Sequence, residues 1–312
     1  MHRRDLLKSL ASGAGLVASQ TALLPAQGAK PTGAKDAAPE KRFIETRDGT
    51  SLFYKDWSSG RPVVFVAPYA LNSDWWEYQM TYLAGQGLRC IAYDRRGHGR
   101  SGWPMQGYEF NTLADDLAAV IEQLDLHDVT LVGQSMGCGE VVRYLSRHRA
   151  SRVVRAVLVS TITPFILKTE DNPDGLEKSF LEKARLDLSQ DRPHKVATAA
   201  PAFFGAPKIP VSTEIMEWWT RMIVDQCSLK TMLDLHRVFT ETDFRPELRT
   251  IKVPTLIIHG DSDTSTPIDR TGRRTQRLIP GSQLKVYEGA PHGLPFTHMD
   301  RLNADLLAFA KG

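Results

Sequence analysis

Along this chain, short apolar runs rich in β-branched residues alternate with stretches whose apolar residues recur at three- and four-residue spacing. The runs cover 62–66, 88–93, 129–132, 153–160, 255–259 and 284–287. Each has the length of a strand and is apolar enough to be covered on both faces. The helical stretches cover 75–85, 112–124, 138–146 and 269–278, with a last one over 300–310. Ahead of them lies a hairpin pattern, Phe43-Ile44-Glu45-Thr46, a turn at Asp48-Gly49, then Ser51-Leu52-Phe53-Tyr54. Strand and helix in alternation predict an α/β fold, a mostly parallel sheet of about eight strands with helices on both faces.

The alternation breaks once. Between Thr161 and Val253 about ninety residues carry no clear strand, too many for one crossover. Their periodicity is helical over 177–188, 195–204, 213–227 and 229–238. This predicts a core from 42–160 and 254–312, with 161–253 as a helical cap over the carboxyl ends of the strands. Phe203, Phe204, Trp218 and Trp219 fall in that cap. They either line an apolar acyl or aryl pocket or hold the cap to the core.

Composition adds little that is unusual. Of 312 residues, 42% are hydrophobic and 24% charged, ordinary for a globular enzyme. The net charge is +3, two units of which sit in the first 28 residues. No basic cluster with interleaved aromatics points to nucleic acid. Arg3-Arg4-Asp5-Leu6-Leu7-Lys8, followed by a weakly apolar stretch over 10–24, reads as a twin-arginine export signal over 1–28. That stretch is too short and polar to span a bilayer stably. Export machinery is then a partner of the precursor, and the mature chain is expected in the periplasm or secreted. Residues 29–41 read as a linker. Cys90, Cys138 and Cys227 are odd in number and lack metal-ligand spacing. They read as small buried hydrophobes, and neither metal nor other cofactor is expected.

The chemistry concentrates at Gly133-Gln134-Ser135-Met136-Gly137, set between a strand pattern and a helix pattern. A serine in so sharp a turn presents its hydroxyl at the sheet edge, beside the first free N–H of a helix. This turn resembles the nucleophile turn of the α/β-hydrolases, and that resemblance implies an acid after a later strand and a base after the last one. Glu288-Gly289-Ala290-Pro291-His292 offers His292 as the base, in preference to His298 at the start of the last helix. The loop Gly260-Asp261-Ser262-Asp263-Thr264-Ser265-Thr266-Pro267 holds two aspartates. Asp263 is favoured as the acid, and Asp261 as a brace of its loop. His98 and His259 read as structural. An oxyanion would need two N–H donors. Met136 supplies one, and Tyr69 the other, since Pro68 has none.

These residues resemble the serine α/β-hydrolases, and within them the cofactor-free bacterial haloperoxidase, perhydrolase and aryl esterase group. The likeness runs from about 42 to 311. It is carried by Tyr93-Asp94-Arg95-Arg96-Gly97-His98-Gly99-Arg100-Ser101, Ala114-Asp115-Asp116-Leu117, the segment 129–140 and Gly289-Ala290-Pro291-His292-Gly293-Leu294. The resemblance implies a Ser135–His292–Asp263 triad and a small ester or carboxylic acid substrate. It implies ester hydrolysis first and peracid formation from hydrogen peroxide second. A ligand-binding protein on the same scaffold is the third expectation. Two positions depart from the family. Ala67-Pro68-Tyr69-Ala70 stands where His-Gly-Trp-Pro is usual, and the absent proline argues against peroxide chemistry. Cys138 stands where glycine is common.

Overall fold

The computed structural model describes residues 42–312. The expected export segment and linker lie outside these residues. Eight strands form one sheet: β1 (Phe43–Glu45), β2 (Ser51–Trp57), β3 (Pro62–Val66), β4 (Arg89–Tyr93), β5 (Val129–Gln134), β6 (Val153–Val159), β7 (Thr255–Gly260) and β8 (Gln283–Tyr287). Their order across the sheet is β1-β2-β4-β3-β5-β6-β7-β8. The β1–β2 and β2–β4 pairs are antiparallel and the rest parallel. The predicted hairpin and α/β architecture are both present.

Alternation along each strand builds two cores. In β3, Val64 and Val66 join one buried cluster, and Val63 and Phe65 join the other. The first cluster receives helices α2 (Phe110–Gln123) and α3 (Met136–Arg147). The second receives α1 (Glu77–Gly85) and the last helix, α11 (Met299–Lys311). This is the two-sided covering that continuous apolar strands require.

Between β6 and β7 the chain is helical: α4 (Lys178–Gln190), α5 (Arg192–Phe204), α6 (Thr213–Gln226), α7 (Leu229–Glu241) and the short α8 (Arg245–Leu248). The cap pattern read from sequence corresponds to the first four. Asp191, Ser212 and Ser228 begin α5, α6 and α7 by accepting from the amides of His194, Ile215 and Thr231. Each satisfies one orphan donor at a helix start.

Departures from the sequence reading are local. The helix expected over 75–85 opens as a 3₁₀ turn, Ser73–Trp76. The helix expected from 269 starts only at Gly272, as α9 (Gly272–Leu278). The amides of Arg270 and Thr271 fold back onto the Pro267 carbonyl first. The four-residue helices α8 and α10 (Leu294–Thr297) were not expected, because four residues leave too little periodicity to read.

The strand order places β5 between β3 and β6. After β3 the chain adds β4 on one side, then returns to add β5 on the other. Ligands in open α/β sheets bind where strand order reverses, outside the carboxyl ends. The loops after β3 and β5 flank that crevice. At the far side, Gly260 ends β7 where its backbone meets the loop after β8. A Cβ there would overlap the Ala290 carbonyl oxygen. Gly260→Ala should therefore lower unfolding free energy in urea by about 1–3 kcal/mol through backbone displacement. An unchanged midpoint would show that the two loops tolerate separation.

Candidate active site

Ser135 sits between β5 and α3 with φ 53° and ψ −117°, outside the regions comfortable for a residue with a side chain. The sheet holds it there, since its amide donates to the Val159 carbonyl on β6 at 2.9 Å. Neighbouring glycines make the turn possible. A Cβ on Gly133 would lie 2.7 Å from the Gly137 carbonyl oxygen. One on Gly137 would lie 2.5 Å from the Val66 oxygen and 2.8 Å from that of Ala67. The start of α3 is thereby pressed against the end of β3.

Asp263 and His292 approach from the loops after β7 and β8. His292 Nδ1 lies 2.7 Å from Asp263 Oδ2. A carboxylate only accepts, so Nδ1 carries the proton and Nε2 keeps a lone pair. The other carboxylate oxygen, Oδ1, accepts from the amides of Ser265 and Thr266, each at 2.9 Å. The Thr266 hydroxyl adds a bond to Oδ2 at 3.0 Å. Burial works against the charged carboxylate. The His292 charge and the hydrogen bonds from His259 and His292 outweigh it, holding the acid well below the usual carboxylate range. Asp263 is therefore ionised at neutral pH.

Asp261 braces its loop, as expected. Its Oδ1 accepts from the Gly289 amide at 2.7 Å. His259 does more than the sequence indicated. Its Nε2 donates to the Thr266 carbonyl at 2.8 Å and stands 3.4 Å from Asp263 Oδ2. It lines up the acid from behind. His98 is buried, with Nδ1 at 2.9 Å from the Arg96 carbonyl oxygen, far from this chemistry in role.

The loop after β3 supplies the remaining wall. Pro68 to Leu71 forms a turn closed by Leu71 N–H to the Pro68 carbonyl at 3.3 Å. Ala70, at its third position, has φ 60°. Proline is locked near −65°, so it cannot occupy that conformation. The Tyr69 hydroxyl donates to the Met232 carbonyl on α7 at 2.8 Å, tying the loop to the helical insertion. Neither the Tyr69 nor the Met136 amide donates to another group among the described residues.

Sequence reasoning missed what fixes this loop. Arg95 is fully buried and donates to the carbonyls of Ala67 (2.5 Å) and Pro68 (3.3 Å). Its charge is met by Glu140 on α3 at 2.5 Å, which also accepts from the Tyr93 hydroxyl at 3.2 Å. One guanidinium thus joins the loop after β3 to the helix after Ser135. A second network runs through Gln134. It accepts from Trp75 Nε1 at 2.6 Å and donates to the His292 carbonyl at 2.9 Å. The paired arginines after β4 were visible in sequence, but nothing local says that both are buried or that Arg95 reaches the loop after β3.

Ser135, His292 and Tyr69 line one cavity of about 290 Å³, whose wall is mostly apolar, with Leu188, Val196, Phe203, Trp219 and Met232, and includes the polar Lys195, His236, Ser265 and Thr266. Of the four aromatics singled out by sequence, Phe203 and Trp219 are in this wall. The Phe203 ring meets His292 edge-on at 5.2 Å. Phe204 and Trp218 are not in it, which corrects their assignment to the pocket. Phe204 is fully buried against Trp75, Trp219 and Phe296, and Trp218 stacks on Trp75 at 6.5 Å. Both hold the insertion to the core. Adjacent helical positions point about 100° apart, which lets one of two neighbouring aromatics reach the cavity while the other does not.

Comparison with known proteins agrees with this geometry. The α/β hydrolase fold family matches residues 61–299. The chain belongs to that family. Over 270 residues this α/β-hydrolase is 41% identical to a non-heme chloroperoxidase of Kitasatospora aureofaciens, covering 85% of this chain and 97% of that protein. It is 38% identical over 275 residues to a bifunctional esterase/perhydrolase of Acinetobacter calcoaceticus, covering 86% and 99%. The crystal structure of a bromoperoxidase from Bacillus anthracis superimposes with a TM-score of 0.83 at 37% identity, covering 86% and 99%.

The hydrolase's three thiols are buried, and burial pushes each up to about 12. Cys138 donates to the Gly133 carbonyl at 3.2 Å, inside the turn. At pH 8 the thiolate fraction is negligible, so native protein should resist iodoacetamide at all three positions and urea-unfolded protein should not. Rapid labelling of Cys138 in the native state would contradict that burial. Arg95→Met would strand a buried Glu140 charge and should lower unfolding free energy by about 3–5 kcal/mol in urea. Adding Glu140→Leu should recover most of the loss. No difference between single and double variant would mean that the pair is not what holds the loop.

Proposed function

We propose that this α/β-hydrolase is a carboxylic ester hydrolase working through an acyl-enzyme on Ser135. The observation that carries the reading is the His292 ring. Asp263 holds its Nδ1, and the residue lines the same cavity as the strained Ser135. His292 takes the Ser135 proton as the hydroxyl attacks the ester carbonyl. The unpartnered amides of Tyr69 and Met136 receive the charge that develops on the carbonyl oxygen. His292 returns its proton to the leaving alcohol, and water repeats the sequence to release the acid. Asp263 stays ionised and steadies the imidazolium. The apolar wall with Phe203 and Trp219 suits a short or aryl acyl group. Residues 1–28 act, on the same reading, as a twin-arginine export signal that delivers the protein to the periplasm or beyond.

A second reading shares the acyl-enzyme but lets hydrogen peroxide replace water, giving a peracid. It draws on the relatives, a chloroperoxidase and an esterase/perhydrolase. Ala70 at φ 60° weighs against it, because this turn excludes the proline that the resemblance associates with peroxide. A ligand-binding protein on this scaffold would have no use for the His292–Asp263 pair.

Turnover of p-nitrophenyl acetate and butyrate by the purified protein should fall by about four to six powers of ten in Ser135→Ala, with the fold intact by circular dichroism. Near-wild-type turnover in that variant would end the reading. Bromination of a dye in acetate buffer should show little dependence on added peroxide. Strong, Ser135-dependent bromination would favour peracid formation over hydrolysis. A fluorophosphonate probe should label Ser135, and an unlabelled, folded protein would point to ligand binding.

A further inference from the structure

A second cavity, of about 360 Å³, adjoins the one at Ser135. The two share Ala184, His236, Ser265 and Thr266 in their walls. Each volume alone is at the small end for ligand sites, roughly 300–1,000 Å³, and the pair together lies well inside that range. Phe165, Ile166, Leu176, Phe180 and Leu181 make the second cavity largely apolar.

This space is built rather than left over. Its wall, residues 165–176, folds back on itself through Leu176 N–H to the Ile166 carbonyl at 2.7 Å and Lys168 N–H to the Leu176 carbonyl at 2.9 Å. Asn172, fully buried, donates to the Leu167 carbonyl at 2.7 Å and accepts from Arg274 of α9 at 2.7 Å. Between the cavities, Ala184 presents only a methyl group. Beside it, His236 Nδ1 is buried with no hydrogen-bond partner among the described residues. The residue His236 lines both cavities. Burial pushes His236 down to about 4, so the ring is neutral near pH 7 and can donate or accept there according to tautomer.

Chemistry tells which half of an ester goes there. The leaving oxygen must come within reach of His292, which protonates it. Ser265 and Thr266, shared by both walls, belong to the loop that holds His292 through Asp263, with the Thr266 hydroxyl 3.2 Å from His292 Nδ1. Phe203, Trp219 and Val196 border the Ser135 cavity alone. We propose that the second cavity is the alcohol subsite, and that the substrates are esters of a short or aryl acid with a medium-chain or aryl alcohol that passes His236 to reach it. The inference rests on the ester-hydrolase reading above.

The test fills the second cavity away from Ser135, with Leu176→Trp and, should that variant fail to fold, Ile166→Trp. Wild-type kcat/KM should rise from ethyl to octyl acetate, and the octyl-to-ethyl ratio should fall at least tenfold in the filled variant. The butyrate-to-acetate ratio of p-nitrophenyl esters should stay within about twofold of wild type. An octyl-to-ethyl ratio that does not move, or a loss confined to the acyl series, overturns the alcohol assignment. Calorimetry with 1-octanol on Ser135→Ala protein needs no turnover. Binding should weaken at least tenfold when Leu176→Trp is added, and equal affinity overturns the subsite. Absence of ester turnover in the wild type would instead strike the hydrolase reading, leaving calorimetry to decide whether the cavity takes an alcohol.

Discussion

The backbone of Ser135 is the constraint on which the rest of the site depends. A side-chain-bearing residue at φ 53° and ψ −117° persists only where its surroundings over-determine it. Here they do so from three directions. The Val159 carbonyl on β6 takes its amide, Gly133 lets the chain double back against α3, and Gly137 lets α3 touch the end of β3. The strain is local, whereas what opposes it is the whole parallel sheet with a core on each face. That is why the hydroxyl is at the sheet edge in a cavity and not in an ordinary loop, where it would relax.

The same close approach couples the parts that must act together. Pressing α3 onto β3 puts Glu140 within reach of Arg95, and Arg95 within reach of the carbonyls that end β3. Tyr69, next in that loop, lines the cavity. On the other side, Gln134, next to the serine, carries both Trp75 and the backbone of His292. The Gly293 amide reaches the Phe203 carbonyl of α5 at 2.8 Å, so the histidine loop also anchors the helical insertion. Buried polar groups in such number are stable only when each is satisfied. Their satisfaction fixes the relative positions of loops that come from four different strands.

The helical insertion then decides what the site can hold. It contributes Leu188, Val196, Phe203 and Trp219 to the cavity, and Ala184 and His236 to the boundary with the second one. Its own attachment rests largely on side chains outside that cavity wall. Phe204 and Trp218 close on Trp75 and Phe296, while the Tyr69 hydroxyl is bound to α7. On α5 and on α6 a cavity-lining aromatic thus stands next to one that does not line the cavity.

Sequence alone determined the strands, the longer helices and their alternation, and it placed Ser135, Asp263 and His292 each after a strand. Each of these is set by local periodicity, by turn chemistry at Gly133 to Gly137, or by position after a strand. It also favoured Asp263 over Asp261, from loop spacing. The inward turn of Arg95, the placing of Phe203 against Phe204, the role of His259 behind the acid and the second cavity were decided only by the tertiary structure. The reason is physical. A strand's period says that a residue is buried, and a motif says which atoms react, but neither says which distant side chain or carbonyl lies opposite. That depends on how closely two elements approach, and here the approach is set by missing Cβ atoms and buried charges whose partners lie tens of residues away.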